Sequence, residues 1–295
     1  MSAMQVVSAG ALTLAQDLGR GHLLRQGISV SGAADRGAHA LGQRLCANAP
    51  GAASLENTLG GLCLRALSAC VVAVTGADVD LRVDGVGVGS NAAFVLPADA
   101  VLSLGQVRRG LRAYVSVRGG FNVTPILGSR SRDTLGGIGP LPFSAGDIVP
   151  IGNQNVGQAW FEVVPVPNFE ENPTLFLRPG PHDDALDELG WHQLEHTQWT
   201  IDPASNRIGV RLNASPLPVG AGELPSFAVL PGCVQLPASG LPIILGPDAG
   251  VTGGYPVLGV IGQRDLDRLA QARPGDHLRL RRLHSVPAPR LLRSL

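Results

Sequence analysis

Residues 235–256 read QLPASGLPIILGPDAGVTGGYP. The short apolar run from Pro242 to Leu245 is followed by Gly246-Pro247-Asp248, an acidic side chain in a turn-forming frame. Thr252-Gly253-Gly254-Tyr255-Pro256 closes the stretch. A buried strand that ends in a glycine-rich turn places polar groups and free backbone N–H donors at the rim of a sheet. Two adjacent glycines let the backbone approach a ligand closely. Tyr255 is one of only two tyrosines in the chain. A plainer reading of the same residues is a β-turn carrying a packed aromatic.

The strand-and-turn pattern recurs outward from this stretch. Residues 70–75 are continuously apolar and end in Gly76-Ala77-Asp78, and residues 79–83 lead to Asp84-Gly85, a hairpin signal. Leu111, Ala113, Val115 and Val117 alternate with Arg112, Tyr114, Ser116 and Arg118. Ile208, Val210 and Leu212 alternate with Arg207, Gly209 and Arg211, which predicts both arginines on one face of one strand. Residues 4–15 read as a strand or hairpin turning at Ala9-Gly10. Helical patterns are few. One follows Ser31-Gly32-Ala33-Ala34-Asp35, with Ser31 as cap, Asp35 in the first turn and a stripe of Ala38, Leu41 and Leu45. Residues 183–195 and 264–271 carry the others. Gly146-Asp147 and Gly275-Asp276 each form a turn that feeds a closing strand, which suggests two similarly built halves. Many short strands with Gly/Pro turns predict a mainly β protein of barrels or sandwiches. The expected boundaries are an N-terminal unit over 1–165, a linker over 164–173, a second unit over 174–284 and a tail over 285–295.

Composition bounds the function. The 295 residues are 44% hydrophobic, enough for a sizeable core, and the aromatic share is 4%, so small aliphatic side chains must fill it. Zero formal net charge argues against nucleic acid as a main partner. The chain contains no lysine, so Schiff-base and P-loop lysine chemistry is excluded and any cationic clamp is arginine. Cys46, Cys63, Cys70 and Cys233 form no C-x-x-C, and Cys63 and Cys70, in apolar sequence, read as buried thiols. The N-terminus does not read as a signal peptide, and no apolar run approaches the roughly 18 residues of a membrane span. A soluble, cytoplasmic protein is expected.

Some motifs carry chemistry on their face. His192-Gln193-Leu194-Glu195-His196 matches the H-x-x-E-H zinc-peptidase pattern. The short helix, Gly190 within it and Trp199 just beyond favour a solvated helix end, and no metal ligands are assigned. Gly87-Val88-Gly89 follows a hairpin and opens no helix, so it fails as a dinucleotide fingerprint. Neither a Walker loop nor G-x-S-x-G occurs. Arginines near turn tips remain: Arg108-Arg109, Arg118 before Gly119-Gly120, Arg130 with Asp133, and Arg207 with Arg211. Guanidinium groups grip carboxylate or phosphate oxygens bidentately, and the same groups also serve as structural ion pairs.

Eight stretches in order carry a family resemblance. They are Thr13 to Arg20, Val30 to Asp35, Asn48 to Glu56, Thr75 to Asp78, Arg109 to Tyr114, Leu127 to Asp133, Ser205 to Leu212 and Thr252 to Pro256. The chain resembles the family of 5-oxoprolinase C subunits, also called KipA or allophanate hydrolase subunit 2 and labelled a biotin-dependent carboxyltransferase family. It departs from the family pattern at Asn206, Ser226-Phe227 and Gly250-Val251.

The resemblance implies tandem cyclophilin-like β-barrel subdomains with a few short helices. It implies a KipI-like B subunit that works with this chain to activate 5-oxo-L-proline with ATP and Mg, and a LamB/YcsF-type A subunit that completes hydrolysis to L-glutamate. The alternatives it carries are a carboxyltransferase component fed by carboxybiotin on another chain, and a non-catalytic regulator that binds a KipI-like kinase inhibitor. On this reading the catalytic candidates are Asp78, Arg130, Asp133, Arg207, Asp248 and Tyr255, with Arg130 and Arg207 as anion clamps. The substrate-binding candidates are Ser31, Glu56, Arg211, Gln235, Thr252, Gly253 and Gly254.

Overall fold

The computed structural model describes residues 2–158, 163–165, 169–219 and 224–283. Part of the expected linker, 166–168, and the tail over 285–295 lie outside them. The chain is mostly strand with three α-helices among the described residues: α1 (Arg36–Leu45), α2 (Glu188–His196) and α3 (Gln263–Leu269). The mainly β expectation holds.

The N-terminal lobe is a curled nine-stranded sheet. Its spine is the 17-residue strand Val101–Val117, paired antiparallel with the 14-residue strand Cys70–Val83 through three register shifts. Gly60–Ala66 and Ser54–Thr58 pair with successive parts of the spine. Asp84 and Gly85 take positive φ, 47° and 81°, and turn the chain into Val86–Gly87 as the hairpin signal requires. Ala3–Ala9 and Leu12–Gln16 are both strands, but they do not pair with each other. Ala3–Ala9 lies against Gly60–Ala66, and Leu12–Gln16 lies against Ser54–Thr58. Gly10 pivots between them at φ 65°, where a Cβ would sit 2.1 Å from the Gly60 carbonyl oxygen.

The second lobe is a closed seven-stranded barrel running from Thr174–Pro179 to His277–Arg282, which pair in parallel to seal it. Closure removes the sheet edges. Leucines, isoleucines, Trp191 and Trp199 fill this lobe's core, while Val, Leu and Ala dominate the first. Arg282 stacks over Trp191 at 4.6 Å. The predicted echo is a repeated device. The Asp147 and Asp276 carboxylates each accept the N–H of the residue three positions back, both at 2.8 Å.

Three local expectations change. The α1 N-cap is Asp35, whose carboxylate accepts the Ala38 N–H at 2.8 Å. Ser31 lies four residues earlier at φ 54° and donates its hydroxyl to the Arg132 carbonyl. The buried face of α1 is His39, Gly42, Gln43 and Leu45, with Ala38 and Leu41 only half-buried. The strand Val101–Val117 is buried on both faces from Gly110 onward, because α1 and the barrel lobe cover the side that its polarity marks as solvent-facing.

Candidate functional site at the seam between the lobes

Arg207 sits in the turn before the strand Gly209–Asn213, shaped by the Asn206 side-chain Oδ1 accepting the Ile208 and Gly209 N–H groups. The Asp248 turn docks on it: Asp248 N–H donates to the Arg207 carbonyl, and a Cβ at Gly246 would meet that oxygen at 2.3 Å. Because Arg207 precedes the strand, alternation does not govern it. Arg207 is buried and Arg211 is exposed, so the two do not share a face.

The Arg207 guanidinium crosses into the N-terminal lobe. Nε and Nη2 donate to the two Asp248 carboxylate oxygens at 2.8 and 3.0 Å. Nη1 donates to Glu56 at 2.5 Å and Nη2 to the Gly32 carbonyl at 2.6 Å. The second Glu56 oxygen accepts the Tyr114 hydroxyl at 2.7 Å and the Ala34 N–H at 2.9 Å. Asp248 also accepts the backbone and side chain of Thr134. Burial alone would raise both carboxyls, but the Arg207 charge outweighs it and holds Glu56 and Asp248 below the usual carboxylate range. One buried guanidinium thus makes four donor bonds and ties the barrel lobe to the N-terminal lobe.

A second polar key lies beside the first. Gln271, from the end of α3, accepts the Leu111 and Arg112 N–H groups on its carbonyl oxygen and donates to Asp35 at 2.7 Å. The Tyr114 hydroxyl accepts the Asp35 N–H at 2.8 Å, joining the two keys into one network. Burial pushes the Asp35 carboxyl up to about 6.

Arg207 borders a small hollow of about 50 Å³ at the seam. Arg36, at the first position of α1, and Arg112 line it from one lobe; Asn206, Arg207, Gln263 and Leu266 line it from the other. The hollow suits a group of a few heavy atoms. Among the described residues no three His, Cys, Asp or Glu side chains gather to hold a metal ion.

The structure brings Ser31, Glu56, Asp133, Arg207 and Asp248 together around the seam. Ser31 N–H donates to the Pro247 carbonyl. Asp133 accepts the Ser29 hydroxyl and caps the Leu135 and Gly136 N–H groups, while the next residue, Thr134, reaches Asp248. The other candidates sit apart. Asp78 faces Arg108 at 3.8 Å on the sheet surface. Arg130 donates Nε to the Val123 carbonyl, within its own lobe. Gln235, Thr252, Gly253, Gly254 and Tyr255 belong to a rim where Thr252–Gly253 pairs with Phe227–Ala228, outside the hollow. Gln235 Nε2 there is buried without a partner and packs on Gly253, and Tyr255 is half-exposed. Thus Arg130, Arg207 and Tyr255 line no common hollow. His192 and His196 stack at 3.9 Å, and Glu195 turns away to accept the Arg282 N–H.

Sequence reasoning passed over Arg36, Arg112, Tyr114, Asp35 and Gln271. The available signal was one strand carrying Arg112 and Tyr114 on the same side, in a chain with two tyrosines.

The family described as carboxyltransferase domain, subdomain A and B, matches residues 26–282. The chain is 34% identical to the 5-oxoprolinase C subunit of Escherichia coli (strain K12), over 91% of this chain and 87% of that protein. It is 32% identical to the Haemophilus influenzae protein of the same name, over 94% and 90%. A putative urea carboxylase of Emericella nidulans is 30% identical over 95% of this chain and 24% of that protein. The crystal structure of Kluyveromyces lactis urea carboxylase superposes with a TM-score of 0.90 at 26% identity, over 96% of this chain and 27% of that one. Among the described residues no helix is long and apolar enough to cross a membrane.

Proposed function

Because the chain belongs to the carboxyltransferase domain family, subdomains A and B, we propose that it is the C subunit of an ATP-dependent 5-oxoprolinase. The observation that carries this reading is the 34% identity to a 5-oxoprolinase C subunit over 91% of the chain and 87% of that protein. The seam supports it: an arginine-lined hollow of about 50 Å³ suits part of a small anion.

An unstrained lactam resists hydrolysis because amide resonance protects its carbonyl. Phosphorylation of the carbonyl oxygen by ATP supplies a leaving group. The chain has neither a Walker loop nor a lysine. On this reading ATP and Mg are held by a KipI-like partner, and a LamB/YcsF-type partner completes release of L-glutamate. This chain's task is to bind and orient 5-oxo-L-proline and to shield it from water.

The test is glutamate release from 5-oxo-L-proline by the three purified proteins. ATP-dependent release that disappears when this chain is omitted supports the reading; release unchanged by its omission overturns it. The urea carboxylase relatives favour a second reading, carboxyl transfer from carboxybiotin. With no lysine in the chain, that biotin arrives on another protein. ATP hydrolysis that requires bicarbonate and is blocked by avidin favours this second reading.

A further inference from the structure

The side chains of Arg36 and Arg112 line the seam hollow from one lobe and differ from Arg207 in what they hold. Arg207 spends its donors on Glu56, Asp248 and Gly32. Arg112 is 8% exposed, donates Nη1 to the Ala270 carbonyl at 2.5 Å, and keeps a buried Nε with no acceptor. Its nearest carboxylate, Glu56, lies 3.7 Å from that Nε, and the same Glu56 oxygen is already bound by Arg207 at 2.5 Å. Arg36 uses its backbone N–H on Asp267, while its guanidinium makes no ion pair among the described residues. A buried donor without an acceptor carries a desolvation cost, and the guanidinium it belongs to lines the hollow, where an anion offsets that cost. Leu266 and Leu269 form the apolar part of the wall, which keeps the local dielectric low and strengthens a charged contact there.

We infer that Arg36 and Arg112 form a clamp for a single carboxylate, and that the hollow takes the carboxylate end of a small, flat amide-bearing acid. Carboxylate oxygens match the planar donor edges of two guanidinium groups. The remaining atoms of the ligand point out of the hollow toward the seam opening, where a partner protein acts on the amide. The assignment rests on the 5-oxoprolinase reading for the identity of the acid, but not for the clamp itself.

The experiment uses the reconstituted complex and the isolated full chain in parallel. KM and kcat for 5-oxo-L-proline are measured with wild-type chain, Arg36→Gln and Arg112→Lys, with Arg108→Gln on the sheet surface as control. Binding to the isolated chain is followed by calorimetry with 5-oxo-L-proline and with 2-pyrrolidinone, the same ring without its carboxylate. The clamp predicts preference for the acid and a rise in KM or Kd of about tenfold or more in both variants, with the control unchanged. Arg36 is half-buried at a helix start, so its substitution tests the clamp even where Arg112→Lys does not fold. Equal affinity for the two ligands, or an Arg36→Gln chain with wild-type KM and Kd, overturns the assignment. Glutamate release with unmoved KM in Arg36→Gln sinks the clamp and leaves the 5-oxoprolinase reading. Arg36-dependent carboxylate binding by a chain whose complex releases no glutamate does the reverse.

Discussion

Arg207 of the barrel lobe meets Glu56 of the N-terminal sheet at 2.5 Å, and the two side chains are 4% and 1% exposed. A contact of this kind couples two lobes whose hydrophobic cores are otherwise separate clusters. Breaking a buried pair by removing one partner leaves an uncompensated charge, which costs about 3–5 kcal/mol. Arg207→Ala is therefore expected to lower unfolding stability by that order in urea titrations. Arg211→Ala, on the exposed face of the adjoining strand, is expected to change it by less than about 0.5 kcal/mol.

Gln271→Ala tests the second key. It leaves the Leu111 and Arg112 N–H groups without acceptors in a site closed to water. Each unsatisfied buried donor costs about 1–3 kcal/mol. The expected result is a stability loss in that range or above. Faster hydrogen exchange at Leu111 and Arg112 should accompany it.

Tyr114→Phe removes a hydroxyl that donates to Glu56 at 2.7 Å and accepts the Asp35 N–H at 2.8 Å. The phenol is fully buried and, with burial as the largest cause, its pKa lies well above the usual value, so it stays neutral. A loss of about 1–3 kcal/mol is expected. Combined with Arg207→Ala, the two losses should fall short of additivity, because both residues act on Glu56.

Asp35 makes stability depend on pH. Its carboxyl is raised from 3.8 to about 6, chiefly by burial. A raised acid favours the protonated folded state, so its contribution is complete below about pH 4 and is lost as pH rises through about 6. The change is on the order of 3 kcal/mol. Glu56 and Asp248 are lowered and act in the opposite sense at lower pH. The difference between wild type and Asp35→Asn therefore isolates the effect. Asn is expected to flatten the slope between pH 4 and 6, and carbon-detected NMR is expected to show Asp35 titrating near 6.

Much of the fold was written into local patterns. The apolar run at 70–75, the Asp84-Gly85 turn and the Gly-Asp turns before closing strands need only near neighbours to act. Partner choice was not legible. Gly10 separates Ala3–Ala9 from Leu12–Gln16 because of its approach to Gly60, fifty residues on. The seam was only half legible. Glu56, Arg207 and Asp248 stood out as charges in glycine-rich or apolar settings, but nothing local says that they neutralise one another. Arg112 and Tyr114 alternate with apolar residues and so look solvated, although the second lobe covers Arg112 and α1 covers Tyr114. Arg36 looks like any helix-surface arginine until the barrel is placed opposite it.

The most direct test is to map where 5-oxo-L-proline perturbs the backbone amides of the ¹⁵N-labelled chain. Shifts concentrated at Ala34, Arg36, Arg112 and Leu266 are predicted, because these residues line the seam hollow. Shifts confined to Gln235, Gly253, Gly254 and Tyr255, with the hollow silent, would contradict the account.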